Sequence, residues 1–168
     1  RLLLTTCYQY EGPSSVRYPR GAGVGAETST SLETVAIGKA VQRRQGSKLA
    51  ILAFGPLLHE AKQVAEKYDL SLIDMRFVKP LDEAMLLALA KTHQGFVTLE
   101  EGALMGGAGS AVIEFFNQRD INLPVLQLAY PDLFIDHGDQ NALRAELGLD
   151  AQGITQSVEQ RFAELLQK

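Results

Sequence analysis

From residue 49 to residue 128 short apolar runs alternate with stretches of helical period, and this alternation limits the possible fold more than any other feature of the chain. Residues 49–54, LAILAF, are continuously apolar, as a strand covered on both faces requires. Gly55-Pro56 then opens a segment in which Leu57, Leu58, Ala61, Val64, Ala65 and Tyr68 recur at three- and four-residue steps, the spacing of one helix face. The unit repeats as strand 72–75, helix 82–91, strand 96–99, helix 109–119 and strand 125–128. Such alternation builds right-handed crossovers, and the fold class that follows is α/β: a mostly parallel sheet with helices on both faces. Residues 141–147 and 154–166 read as closing helices, the second amphipathic.

Ahead of this core, residues 35–43 read as a strand. The short turn Gln45-Gly46-Ser47 predicts that it pairs antiparallel with 49–54, giving the sheet one antiparallel strand. Residues 1–10 read as the end of a helix, broken by Glu11-Gly12-Pro13, and 14–18 as a further strand. The stretch ETSTSLET, 27–34, has no apolar period and reads as a linker. The chain opens on Arg1, with neither an initiator methionine nor a signal sequence, and is read as a piece of a longer polypeptide.

Composition narrows the function classes. Hydrophobic residues make up 46% of the chain and charged residues 21%, the balance of an ordinary soluble domain. The formal net charge of −4 argues against a nucleic-acid partner or an anionic membrane surface, either of which needs a clustered positive face. No run approaches the roughly 20 apolar residues of a membrane span. Cys7 is the only cysteine, so no intrachain disulfide forms; a lone thiol fits a reducing cytosol and reads as a small buried hydrophobe.

Two glycine clusters carry the candidate chemistry. In SSVRYPRGAGVGAE, Gly21, Gly23 and Ala26 match a dinucleotide fingerprint, but a polar linker follows where the fingerprint needs a helix, so the match is set aside. The same stretch holds Arg17 and Arg20. A guanidinium followed by Gly21 suits a phosphate, with a solvated strand end as the alternative. Gly106, Gly107 and Gly109 lie between a predicted strand and a predicted helix. Their amides could hold an anion, or the glycines could let the helix pack closely on the sheet; without a P-loop lysine the packing role is favoured.

The remaining polar residues give weaker signals. Glu100 and Glu101 are successive strand residues that point to opposite faces, so they are no acid/base dyad. His59, His93 and His137 are far apart and lack a second ligand at metal spacing; His137 lies between Asp136 and Asp139 in what reads as a solvated loop. Asp74 and Arg76 flank Met75 at a strand's carboxyl end, where open α/β sheets place ligands, and a local ion pair accounts for them equally well.

The segments PSSVRYPRG, IGKAVQRR, LAILAFG, DMRFVKPLDE, MGGAGSAV, PDLFI and RAELGLDAQGI, in this order and spacing, resemble the C-terminal part of the 1-deoxy-D-xylulose-5-phosphate synthase family of transketolase-like enzymes, over essentially the whole chain. The resemblance implies a homodimer that uses thiamine diphosphate and magnesium to decarboxylate pyruvate and join the two-carbon unit to glyceraldehyde 3-phosphate. The product feeds isoprenoid and thiamine biosynthesis in the bacterial cytoplasm. It further implies that residues 1–26 end a pyrimidine-binding domain, 27–33 are the linker and 34–168 form a transketolase-like C-terminal domain. Arg20 is implied as the arginine for the substrate phosphate, while Arg17 has no assigned role. The cofactor and metal ligands are implied to lie outside this chain, so no catalytic residue is expected within it and the chain alone is expected to be inactive. Two other readings stay open on the residues themselves: a stand-alone interaction module of the transketolase C-terminal type, and a nucleotide-binding α/β protein using the turn at Gly106.

Overall fold

The computed structural model describes residues 1–19, 25 and 30–166. A helix α1 (Leu2–Gln9) precedes a five-stranded sheet of β1 (Val41–Arg44), β2 (Leu49–Phe54), β3 (Ser71–Asp74), β4 (Gly95–Ala103) and β5 (Val125–Tyr130). The connecting helices are α2 (Leu58–Tyr68), α3 (Glu83–Ala90) and α4 (Ala108–Asn117), and α5 (Gln140–Glu146) and α6 (Ala151–Leu166) close the chain. The strand order is β1-β3-β2-β4-β5. β3, β2, β4 and β5 run parallel, and β1 is antiparallel to β3.

The apolar run of β2 explains the layering. All six of its residues are buried, and alternate ones face opposite sides. Leu49, Ile51 and Ala53 join Ala61, Val64 and Ala65 of α2 and Ile154, Val158 and Phe162 of α6 in one core. Ala50, Leu52 and Phe54 join Leu86 and Leu89 of α3 and Val112, Phe115 and Phe116 of α4 in the other. Burying a large aliphatic or aromatic side chain contributes about 1.5–3 kcal/mol, so two such cores carry the domain. The expected α/β architecture, mostly parallel with helices on both faces, is the one observed.

Three expectations need correction. The strand expected over 35–43 is reduced to Val41–Arg44, and it pairs with β3, not with 49–54. Both sides of β2 are taken by the parallel neighbours β3 and β4, which leaves the outer edge of β3 for β1. The turn at 45–47 does not fold back as a hairpin because it is bonded to the start of β3: the Gly46 amide donates to Ser71 Oγ (3.0 Å) and the Ser47 amide to the Asp69 carbonyl (2.7 Å). Residues 36–39 form a tight turn closed by the Lys39 amide on the Ala36 carbonyl (3.2 Å). Residues 14–18, expected as a strand, carry no regular secondary structure and join no ladder.

Asp82 fixes the approach to β1. Its buried carboxylate caps α3 by accepting from the Met85 amide (3.1 Å), and it also accepts from the Ala40 amide (3.0 Å) and Lys39 Nζ (3.4 Å). Burial pushes its pKa up, but the two amides and the ammonium outweigh burial and hold it below the ordinary aspartate value. A carboxyl with a depressed folded pKa stabilises above its unfolded pKa of about 3.9, and that contribution is lost as pH falls through the folded value. Asp82→Ala is therefore expected to cost about 0.5–2 kcal/mol at pH 7, with the gap to the parent narrowing below about pH 4. Urea melts at pH 7 and pH 3.5 measure it, and a gap that does not change with pH would refute the account.

Candidate functional site

The direction of winding points to one end of the sheet. α2 packs on one face and α3 on the other, so strand order reverses between β2 and β4, and open α/β sheets hold ligands in the crevice beyond the carboxyl ends at such a reversal. Glu100 lies there, level with Phe54 at the end of the β2–β4 ladder.

Glu100 and the glycine turn form one unit. The buried carboxylate accepts from the Ala108 amide through Oε2 (2.9 Å) and from the Gly109 amide through Oε1 (2.8 Å), satisfying donors that the first turn of α4 leaves without helical partners. Placing a negative charge at a helix N-terminus is favourable, so a strand residue acts as the cap that Gly107 lacks. The glycines make this approach possible. A Cβ on Gly107 would stand 2.3 Å from the Ala103 carbonyl and 2.5 Å from Glu100 Oε1. One on Gly109 would stand 2.5 Å from Thr98 Oγ1 and 2.8 Å from Gln127 Nε2, a pair of residues side by side on β4 and β5. Gly106 turns the chain at φ +75, where a side chain would be strained. Of the two roles open for this turn, close packing is what the geometry supports, because the amides that an anion would use are bonded to the protein's own carboxylate.

Glu101 faces the other way, as strand alternation requires, and gathers a second cluster. Arg144 of α5 donates to Glu101 Oε1 from Nε (3.1 Å) and from Nη2 (2.6 Å), with both side chains largely buried. Burial alone would lower the Arg144 pKa, but the hydrogen bond and charge of Glu101 raise it, so the guanidinium stays charged. Burial pushes the pKa of the nearby Tyr130 phenol up, and the Glu101 charge adds to this. The backbone carbonyl of Glu101 accepts from Arg17 Nη2 (2.6 Å), a contact spanning 84 residues. Arg17, Glu101, Tyr130 and Arg144 thus converge at the carboxyl end of β4.

The other sequence-derived candidates separate. Arg20, together with Gly21, Gly23 and Ala26, lies outside the described residues. Asp74 and Arg76 do pair (3.8 Å), and Arg43 of β1 joins them at 2.7 Å. His93 is buried at the opposite end of the sheet, with Nε2 2.9 Å from Ser71 Oγ and Nδ1 3.1 Å from the Leu89 carbonyl, while His59 and His137 are exposed. Cys7 is half-buried, not fully buried as expected. Sequence reasoning missed Arg144 and Tyr130. Arg144 stands within the quoted RAELGLD segment, but its partner is 43 residues away and no spacing rule links the two.

Comparison with known proteins adds three findings. A family model described as the transketolase C-terminal domain matches residues 38–154. The chain is 61% identical over 166 residues to the 1-deoxy-D-xylulose-5-phosphate synthase of Bordetella avium, covering 99% of this chain and 27% of that protein. It is 53% identical over 165 residues to the protein of the same name in Hahella chejuensis, covering 98% of this chain and 26% of that protein. The chain therefore spans about a quarter of the length of the curated relatives it matches. Among solved structures, a split-gene transketolase described as an inactive β4 tetramer superposes with a TM-score of 0.71 at 27% identity, over 80% of this chain and 45% of that one.

Proposed function

The chain belongs to the transketolase C-terminal domain family, and on that premise we propose that it is the C-terminal part of a 1-deoxy-D-xylulose-5-phosphate synthase. The observation that carries the proposal is the identity of 61% to a synthase of that name over 99% of this chain. In this reading residues 1–26 end a pyrimidine-binding domain, 27–33 link, and 34–168 are the C-terminal domain of a homodimeric bacterial cytoplasmic enzyme. Among the described residues no helix is long and apolar enough to cross a membrane. The full-length protein decarboxylates pyruvate and transfers the two-carbon unit to glyceraldehyde 3-phosphate, and Arg20 holds the phosphate of that acceptor.

Thiamine diphosphate and magnesium, which such an enzyme uses, do not fit the described residues. The amides at the start of α4 that a diphosphate could use are taken by Glu100. Among the described residues no group of three or more histidine, cysteine, aspartate or glutamate side chains could hold a metal ion. In this proposal the cofactor is held elsewhere in the full-length protein, and this chain contributes a structural domain and an acceptor-binding segment.

Two measurements follow. Full-length protein supplied with pyruvate, glyceraldehyde 3-phosphate, thiamine diphosphate and magnesium is expected to release carbon dioxide and form a five-carbon 1-deoxyketose phosphate in equal amounts; turnover of neither substrate would refute the reading. The chain alone is expected to leave pyruvate unchanged and to show no micromolar binding of thiamine diphosphate by isothermal calorimetry. Heat of binding saturating at micromolar cofactor would place a cofactor site in this chain and overturn the division of labour.

A further inference from the structure

We propose that Arg17, Glu101 and Arg144 are positioning residues for acceptor binding: a latch that fixes the polypeptide just ahead of Arg20 to the carboxyl end of the sheet. The inference rests on the reading of Arg20 as the arginine for the acceptor phosphate.

The segment carrying Arg17 needs such a hold because residues 13–19 form no ladder with any described strand. Arg17 supplies it by donating from Nη2 to the Glu101 carbonyl at 2.6 Å. That carbonyl is a well-fixed acceptor. It sits on β4, and its own side chain is gripped by the Arg144 fork at 3.1 and 2.6 Å, with Tyr130 against it. Arg17 Nη1 also lies against Gly102, 3.7 Å from where a Cβ would stand, which is ordinary van der Waals contact. Glu101 and Arg144 are 17% and 15% exposed and form an ion pair outside both hydrophobic cores.

A largely buried ion pair is weak support for stability, because desolvating two charges offsets their attraction. What this pair does supply is direction: a planar fork on a carboxylate fixes the orientation of the residue whose carbonyl Arg17 reads. Three residues of backbone span at most about 10 Å, so fixing Arg17 limits where a side chain three positions on can act. Loss of the latch therefore frees the segment at Arg17, and the ordering that acceptor binding must then supply appears as weaker acceptor binding.

The test is steady-state kinetics on the full-length enzyme with both substrates varied, comparing Arg17→Ala, Arg17→Lys, Arg144→Lys, Arg20→Ala and Arg17→Ala/Arg20→Ala. Arg17→Ala is expected to raise the KM for glyceraldehyde 3-phosphate about 3- to 10-fold, with the KM for pyruvate and kcat within a factor of two. Preference for glyceraldehyde 3-phosphate over unphosphorylated glyceraldehyde should fall by the same factor, a readout that general loosening of the fold would not move. Arg17→Lys, which keeps charge and fold, should recover part of the loss, and Arg144→Lys should shift the same ratio in the same direction. The double variant should show no further rise beyond Arg20→Ala alone. If Arg20→Ala raises the acceptor KM and Arg17→Ala lowers only the melting temperature, or if the two effects multiply, the latch is refuted while the functional reading stands. If Arg20→Ala itself leaves acceptor use unchanged, the latch falls together with the assignment of Arg20, while the family reading is judged by turnover of the two substrates.

Discussion

Gly109→Val is expected to lower the melting temperature of the transition in which this domain unfolds by roughly 6–12 °C in the full-length protein, with cofactor affinity nearly unchanged. The first added atom already meets Thr98 Oγ1 at 2.5 Å and Gln127 Nε2 at 2.8 Å. Thr98 is fully buried on β4, and its hydroxyl, one bond from a strand Cβ, has little room to retreat. Valine adds two further carbons, so α4 must lift from the sheet and pull the Gly109 amide away from Glu100. Overpacking of this kind costs about 1–3 kcal/mol and occasionally more, and at about 2–4 °C per kcal/mol the upper end gives the stated range. Gly109→Ala should fall between. Differential scanning fluorimetry set beside cofactor titration measures both quantities. Normal melting with lost cofactor binding would restore the anion-site reading of the turn.

Arg20→Ala in the full-length enzyme should weaken use of glyceraldehyde 3-phosphate by about 10- to 100-fold. A phosphate dianion held by charge-assisted, forked hydrogen bonds gains about 1.5–3 kcal/mol, and each 1.4 kcal/mol is about tenfold. Pyruvate binding and the first decarboxylation should change much less, since the phosphate belongs to the second substrate. Arg20→Lys should recover only part, because an ammonium keeps the charge and loses the planar fork. An acceptor KM within a factor of two of the parent in Arg20→Ala would remove Arg20 from the site.

What could be read from the residues depended on the range of the interaction. The unbroken LAILAF run announced a strand covered on both faces, and the three- and four-residue steps of 57–68 announced the helix that covers one of them. The opposite orientations of Glu100 and Glu101 followed from strand alternation alone, and the two side chains do reach different partners. The pairing of β1 was misread because a short turn favours a hairpin only when the neighbouring edge is free, and the edge of β2 is filled by strands 20 and more residues downstream. The partners of the two glutamates were out of reach for the same reason. The amides that Glu100 accepts are free donors only once α4 has formed, and Arg144 and Arg17 meet Glu101 only through the finished topology.

The antiparallel placement of β1 also dictates the sequence of events by which the chain can assemble. Val41 pairs with Asp74, 33 positions away, where a hairpin with β2 would have paired near neighbours. β1 therefore has no template until α2 has carried β3 alongside β2, and it condenses onto a completed β2–α2–β3 unit. Closing so long a loop costs more entropy than closing a hairpin, so docking of this edge follows the pairing of β2 with β3. Detaching β1 leaves the parallel ladder beneath it whole, so this edge can fray under denaturant without opening either hydrophobic core.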